Sequence, residues 1–306
     1  MQDLVVILGT NASGKSDLGI RLAQHFGGEI VSADSRQVYR GLDLGSGKIT
    51  SAQAATVKHH LIDVADVSES YSLAQYQRAA YGVIDSIGRA GNLPFLVGGT
   101  GLYLSAVVEG YQLVDVPPNP PLRAELESLT LAQLVARLEQ AAPDAASRID
   151  RNNPRRLIRA IEIAAAGYPD AAVHRSAPRY RCLQLGLTWP REILWQRIET
   201  RLRERLAHGM IDEVVRLRSQ GVSDLRLHKL GLEYRFIARY LRGELRTLDD
   251  LCVQLGIAIR QYAKEQLTWF KRDRRILWLD PFKDCVRQGC QLIREWRQGE
   301  HPPSPS

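Results

Sequence analysis

A short apolar run, LVVIL, that passes directly into GTNASGKS constrains this chain more than any other stretch. Residues 3–8 are rich in β-branched side chains and are closed by Gly9, the pattern of a central strand buried on both faces of a parallel sheet. From Ser16 the apolar residues Leu18, Leu22 and Phe26 recur at helical spacing, and Gly27-Gly28 stops the pattern as C-terminal glycines do. Between strand and helix, residues 9–16 fit G-x-x-x-x-G-K-[ST]. Gly9 and Gly14 let backbone N–H groups converge on phosphate oxygens, and the helix N-terminus adds positive potential. Lys15 adds a point charge and the Ser16 hydroxyl can ligate Mg²⁺. Thr10, Asn11, Ala12 and Ser13 complete a cradle for a di- or triphosphate. The four fixed positions arise by chance in roughly 1 of 100 chains of this length, and the strand-loop-helix context makes an ordinary glycine turn rarer still.

The alternation continues beyond the cradle. A second strand is expected over residues 29–32, a helix over 72–90, a turn at Gly91-Asn92, and an apolar strand over 94–97 ended by Gly98-Gly99. This order predicts an α/β fold with a P-loop NTPase-like parallel sheet core, whose ligands sit at the carboxyl ends of the strands. Residues 115–121 (DVPPNPP), four of them proline, read as neither helix nor central strand and mark a boundary. Helical periodicity with Arg-rich faces over 122–166 predicts an α-helical insertion domain. After a Gly-Tyr-Pro-Asp turn, a strand is expected over 182–187, then a helical C-terminal part broken by one short strand at 276–279. The expected division is a core over 1–115, the insertion over 116–180, the mostly helical remainder of the core over 181–298 and a disordered Pro/Ser-rich tail over 299–306.

Lys plus Arg number 41 and Asp plus Glu 34, a formal net charge of +7 that favours a polyanionic partner while remaining compatible with a mildly basic enzyme. The four cysteines form no C-x-x-C pair, so neither a zinc site nor a disulfide framework is expected. The apolar run near the N-terminus is too short for a signal-peptide core or a membrane span, which points to a cytoplasmic protein. The third strand ends in Gly98-Gly99-Thr100 where phosphoryl-transfer enzymes place a magnesium-binding Asp; Asp63 could substitute. The second strand runs into Ser32-Ala33-Asp34-Ser35-Arg36-Gln37. Asp34, a carboxylate at a strand end facing a cationic phosphate site, is a candidate general base, and capping of the next turn is the structural alternative.

Taken in order, GTNASGKS, DSRQVYRGLDLGSGK, HHLID, VGGTGLYL, NPRRLIRAIE and RQYAKEQLTWFKRD resemble the tRNA dimethylallyltransferases, also called tRNA isopentenyltransferases. The resemblance spans residue 4 to about 280. It implies transfer of the dimethylallyl group of dimethylallyl diphosphate to N6 of adenosine 37, in the anticodon stem-loop of tRNA, with Mg²⁺ assisting, by a monomer with no membrane partner. It further implies that residues 9–16 hold the diphosphate, with Lys15 catalytic and Ser16 on the metal. Asp34 would accept the N6 proton and Thr100 would sit beside the leaving oxygen. Asp34, Ser35, Arg36, Gln37 and Thr100 are implied at the target base, which must leave its stack to react. Arg123, Arg155, Arg156, Leu157, Ile158 and Arg159 are implied at the tRNA, with Arg155 and Arg159 on one helical face as a phosphate-tracking stripe.

This sequence departs from the family pattern at Thr10 and Asn11, which replace Pro-Thr, at Ser16, which replaces Thr, and at Leu232, where a tyrosine is usual. In the basic helix 260–275, Tyr262, Leu267 and Phe270 fall near a single face and read as core, leaving Lys264 and Arg272 as candidate backbone contacts. Two other readings compete, an adenylate isopentenyltransferase acting on a free nucleotide and a P-loop small-molecule kinase. The insertion and the basic C-terminal helix weigh against the first, because a mononucleotide needs neither.

Overall fold

The computed structural model describes residues 1–169 and 174–299. The expected tail from residue 300 onward and the end of the Gly-Tyr-Pro-Asp turn lie outside them. In chain order the elements are β1 (Gln2–Gly9), α1 (Lys15–His25), β2 (Glu29–Ser32), α2 (Ser51–Thr56), β3 (His59–His60), α3 (Leu73–Arg89), β4 (Pro94–Gly98) and α4 (Gly101–Val108). There follow β5 (Tyr111–Gln112), α5 (Pro120–Glu127), α6 (Leu131–Ala141), α7 (Pro143–Arg148), α8 (Pro154–Ala165) and β6 (His174–Arg175). The chain closes with β7 (Tyr180–Leu187), α9 (Arg191–Ala207), α10 (Met210–Ser219), α11 (Asp224–Leu230), α12 (Leu232–Leu241), α13 (Leu248–Phe270), β8 (Ile276–Trp278) and α14 (Cys285–Arg297).

These elements form two compact units, one of Met1–Tyr71, Tyr76–Val108 and Arg179–Ser306, the other of Ser72–Gln75 and Glu109–Pro178. The larger unit holds a six-stranded sheet in the order β3-β2-β4-β1-β7-β8, with every pairing parallel. β1 lies between β4 and β7, so Leu4 to Ile7 are wholly buried, as a strand covered on both faces requires. Helix α1 packs Leu18, Leu22 and Ala23 into the same core as Phe95 of β4, Leu185 of β7 and Ile293 of α14. Because the strands run in one direction, the segments leaving β1, β2, β4 and β7 emerge along one edge of the sheet.

Two-residue β3 has no apolar periodicity and was not expected; it is recruited only by pairing with Ile30 and Val31. The proline stretch also differs from expectation at its end, since α5 begins at Pro120. Pro120 and Pro121 occupy the first helical turn, where a missing N–H costs nothing, and the Asn119 side chain caps the Leu122 amide. The smaller unit gathers α5 to α8 around Leu126, Leu134, Leu138, Leu157 and Ile161. An antiparallel β5–β6 ladder, pairing Tyr111 with Arg175 and Gln112 with His174, belongs to it, with β5 before the prolines and β6 after α8. Among the described residues no helix is long and apolar enough to cross a membrane. All four cysteines are free thiols, and burial pushes the Cys182 thiol up to about 12.

Candidate active site

The cradle is built by turning its carbonyls outward. Trp189 Nε1 donates to Ser13 O at 2.9 Å, Arg197 Nε to Ala12 O at 2.9 Å, and Lys15 Nζ to Thr10 O at 3.3 Å. A peptide plane whose oxygen is drawn to one side presents its N–H to the other. A Cβ on Gly9 would stand 2.2 Å from Leu187 O, so a glycine is dictated there by the close approach of β7. Ala12 adopts φ 59°, and the Asn11 side chain accepts its amide at 3.0 Å. The Asn11 amide donates in turn to Gln266 Oε1 at 2.8 Å. The first amides of the loop are thus engaged within the protein. Those of Gly14, Lys15 and Ser16, at the start of α1, have no acceptor among the described residues, which narrows the expected cradle of residues 9–16 to its C-terminal half.

Lys15 stands in a strongly unbalanced field. Loss of hydration pushes its ammonium down to about 8, with Asp34 opposing the shift and Arg201 adding to it. Arg201 is itself held below the ordinary guanidinium range, by burial first and by neighbouring Arg205 next. No carboxylate pairs with Lys15 or Arg201 among the described residues. Asp34, just after β2, is the anionic group common to both fields, and in that of Arg201 it stands behind Glu233. Asp34 does cap its turn, since Oδ1 accepts the Arg36 amide at 2.9 Å, while Oδ2 has no hydrogen bond among the described residues. The turn therefore occupies one carboxylate oxygen and leaves the other open.

Thr100 follows β4, and its Oγ1 accepts the Ser35 amide at 3.0 Å, while its own amide reaches Ala33 O at 3.2 Å. It thereby pins the Asp34-Ser35-Arg36 turn against the β4 end. Asn11, Lys15, Asp34, Ser35 and Arg36 line one cleft of the larger unit. Gln37 does not join them: it accepts from Ser32 Oγ and donates to Gly47 O, both at 3.3 Å, so both ends of its amide serve the fold. Asp63, the possible substitute carboxylate, is engaged by Lys48, whose Nζ lies 2.5 Å from it and 2.6 Å from Asp43.

Several groups at the cleft or behind its wall escaped sequence reasoning. Arg197, Arg201 and Arg205 project from one side of α9 onto backbone carbonyls of Ala12, Gly47, and Leu44 with Gly45, respectively. Their spacing of four residues was the available signal, hidden in a helix rich in charge on every face. Gln266, buried in α13, bridges the Asn11 amide to Gly99 O at 2.8 Å and so ties the cradle to the end of β4. Tyr262, expected in the core, is 38 % exposed and lines the cleft. Its phenol is pushed up to about 12, by burial first and by the Asp34 charge next. Leu267 is only half-buried, and Phe270 alone of that trio is core. Lys264 is exposed and lies 5.7 Å from the Trp195 ring, and Arg272 is exposed.

In the smaller unit the expected tRNA-facing residues separate sharply. Leu157 and Ile158 are buried in its core at 0 % and 7 % exposure, which withdraws both side chains from any partner and corrects their assignment. They occupy the apolar face of α8 along with Ile161. Arg123 pairs with buried Glu162 at 2.5 Å, and Arg159 lies 3.6 Å from the same carboxylate while donating to Val116 O at 2.7 Å. The Arg155–Arg159 stripe is broken for that reason. Arg155 is exposed without a carboxylate partner among the described residues, and Arg156 reaches Asp150 only at 4.0 Å.

The IPP transferase family model matches residues 37–273. The chain belongs to that family. It is 45 % identical over 289 residues to "tRNA dimethylallyltransferase 2" of Syntrophotalea carbinolica, covering 93 % of this chain and 96 % of the relative. It is 44 % identical over 303 residues to "tRNA dimethylallyltransferase" of a Roseiflexus species, covering 97 % and 99 %. The solved tRNA isopentenylpyrophosphate transferase of Bacillus halodurans superposes with a TM-score of 0.72 at 37 % identity, over 98 % of this chain and 96 % of that one. A eukaryotic dimethylallyltransferase solved acting on tRNA has the same fold, with a TM-score of 0.80 at 24 % identity, over 99 % and 81 %.

Proposed function

We propose that this chain transfers the dimethylallyl group of dimethylallyl diphosphate to N6 of adenosine 37 in tRNA. The observation that carries the reading is the company of Asp34: a carboxylate oxygen with no hydrogen bond among the described residues shares one sheet edge with Lys15 and with the amides at the start of α1 that likewise have no acceptor among them. Prenyl transfer forms a bond between N6 and the allylic carbon as the carbon–oxygen bond to diphosphate breaks. The bonding pair leaves on diphosphate and the N6 proton leaves to a base. Lys15, Arg201 and the amides of Gly14, Lys15 and Ser16 stabilise the departing charge, and no phosphoryl group needs passing on. Asp34 Oδ2 accepts the proton and orients an amine that is a poor nucleophile, while Thr100 keeps the Asp34 turn in place.

The donor set fits Mg²⁺ bound with substrate rather than alone. Among the described residues no group of three His, Cys, Asp or Glu side chains could hold a metal, whereas Ser16 Oγ stands beside the phosphate-binding amides without a partner. Mg²⁺ ordinarily takes substrate phosphate oxygens, waters and one or two protein oxygens, and when bound it would neutralise diphosphate charge. Arg155 of the smaller unit, exposed and without a carboxylate partner among the described residues, is free to meet tRNA phosphates.

Incubation with labelled dimethylallyl diphosphate and either tRNA or AMP tests the reading. Label is expected in tRNA at adenosine 37. Label in AMP alone would assign the chain to nucleotide prenylation, and ATP turnover with dimethylallyl diphosphate left intact would make it a kinase.

A further inference from the structure

Residues 43–47, between β2 and α2, bring Gly45 and Ser46 into the wall of the cleft. The segment is gripped from two sides. On one, the Glu213 carboxylate of α10, 2 % exposed, accepts the amides of Asp43 at 3.1 Å, Leu44 at 2.7 Å and Gly45 at 3.0 Å. It also accepts the Tyr234 hydroxyl at 2.9 Å. On the other side, Arg205 donates to Leu44 O at 3.0 Å and to Gly45 O at 3.1 Å, and Arg201 donates to Gly47 O at 3.2 Å. The Leu44–Gly45 peptide therefore has its N–H on Glu213 and its oxygen on Arg205, opposite edges of one trans plane. A Cβ at Gly45 would meet the Tyr234 ring at 2.4 Å, so the close approach requires glycine.

A carboxylate this deeply buried is costly unless it is fully hydrogen-bonded. Glu213 achieves this entirely with backbone amides and one phenol, and it has no salt bridge among the described residues. Its charge is spent on aligning three consecutive peptides; of the guanidinium groups on the other side, Arg205 pairs with Glu233 at 3.0 Å and Arg201 has no carboxylate partner among the described residues. We propose that Glu213 is a positioning residue for diphosphate binding: it fixes the 43–47 segment, whose carbonyls in turn hold Arg205 in the cleft wall with Arg201 beside it. The inference rests on the proposed function for the identity of the anion.

Inorganic pyrophosphate binding to the full chain by calorimetry, with tRNA binding and dimethylallyl transfer alongside, tests it. Glu213→Gln sets an amide NH₂ against three N–H donors. It is expected to weaken pyrophosphate and raise KM for dimethylallyl diphosphate by about tenfold each, with kcat and tRNA affinity within about threefold. Arg205→Lys keeps the charge but loses the planar fork, and is expected to lower pyrophosphate affinity comparably. Unchanged pyrophosphate affinity in folded Glu213→Gln would overturn the proposal, as would equal loss of tRNA affinity, which marks general loosening. Should Glu213→Gln not fold, unchanged binding by Arg205→Lys overturns it instead. Wild-type protein that ignores pyrophosphate would sink the proposed function itself, whereas wild type that binds with an indifferent Glu213→Gln sinks only the clamp.

Discussion

Two pairs of arginines, one pair in each unit, are held in opposite ways. In the smaller unit, buried Glu162 draws Arg123 to 2.5 Å and Arg159 to 3.6 Å, so one carboxylate offsets one of the two guanidinium charges and ties both side chains to the fold. In the larger unit, Arg197 and Arg201 rest on the carbonyls of Ala12 and Gly47 and have no carboxylate partner among the described residues. A carbonyl orients a guanidinium through its dipole without removing the charge, whereas a carboxylate does both. The first arrangement keeps a cation ready for an anionic ligand, and the second spends it on the fold.

The sharpest break in the comparison is expected at Asp34, the anion that faces the uncancelled cations. Asp34→Ala is expected to lower turnover by about 10²-fold or more while pyrophosphate affinity survives, measured by single-turnover transfer and calorimetry. Near-normal turnover would reduce Asp34 to the cap of its turn. Arg201→Ala comes next, with pyrophosphate affinity expected to fall about 10- to 100-fold, as loss of a charge-assisted contact implies. An unchanged affinity would place the anion elsewhere.

A pH titration sharpens the same contrast. With Lys15 pushed down to about 8, its ammonium is charged at pH 7 and is lost as pH rises through that value. Pyrophosphate affinity is expected to fall above pH 8, approaching tenfold per unit, and Lys15→Arg is expected to flatten that limb. Identical profiles for the two proteins would assign the titration to another group. Arg123→Ala is expected to have the smallest effect on this assay, under about twofold in pyrophosphate affinity. Its cost appears instead as about 1–3 kcal/mol of stability, read by chemical unfolding, because buried Glu162 loses its closer cation and keeps Arg159 and the Asn119 amide. A larger loss of pyrophosphate affinity than from Arg201→Ala would invert the comparison.

Much of the larger unit was legible because its signals are local. The run into β1, the glycines of the cradle and the helical repeat of α1 lie within a few residues of one another, and the sheet follows from their alternation. Strand β3 was not legible, since it exists only by pairing with β2. Leu157 and Ile158 were carried into the tRNA-facing set with their arginine neighbours, although their spacing with Ile161 already marks a core face. Tyr262 erred in the opposite direction: helical periodicity put it with Phe270, but that face of α13 opens onto the cleft.

The sequence alone determined the kinds of group available: a glycine-framed loop with one lysine, an acidic residue after the second strand, and an excess of basic side chains. Which of those charges stay uncancelled was decided only by tertiary structure. Arg201 meets a carbonyl 154 residues away, and Arg205 meets one 161 residues away. Arg123 meets a carboxylate 39 residues away. Hydrogen bonding falls off within a few tenths of an ångström, so identical side chains acquire different roles from whichever distant backbone or acid the packing sets against them.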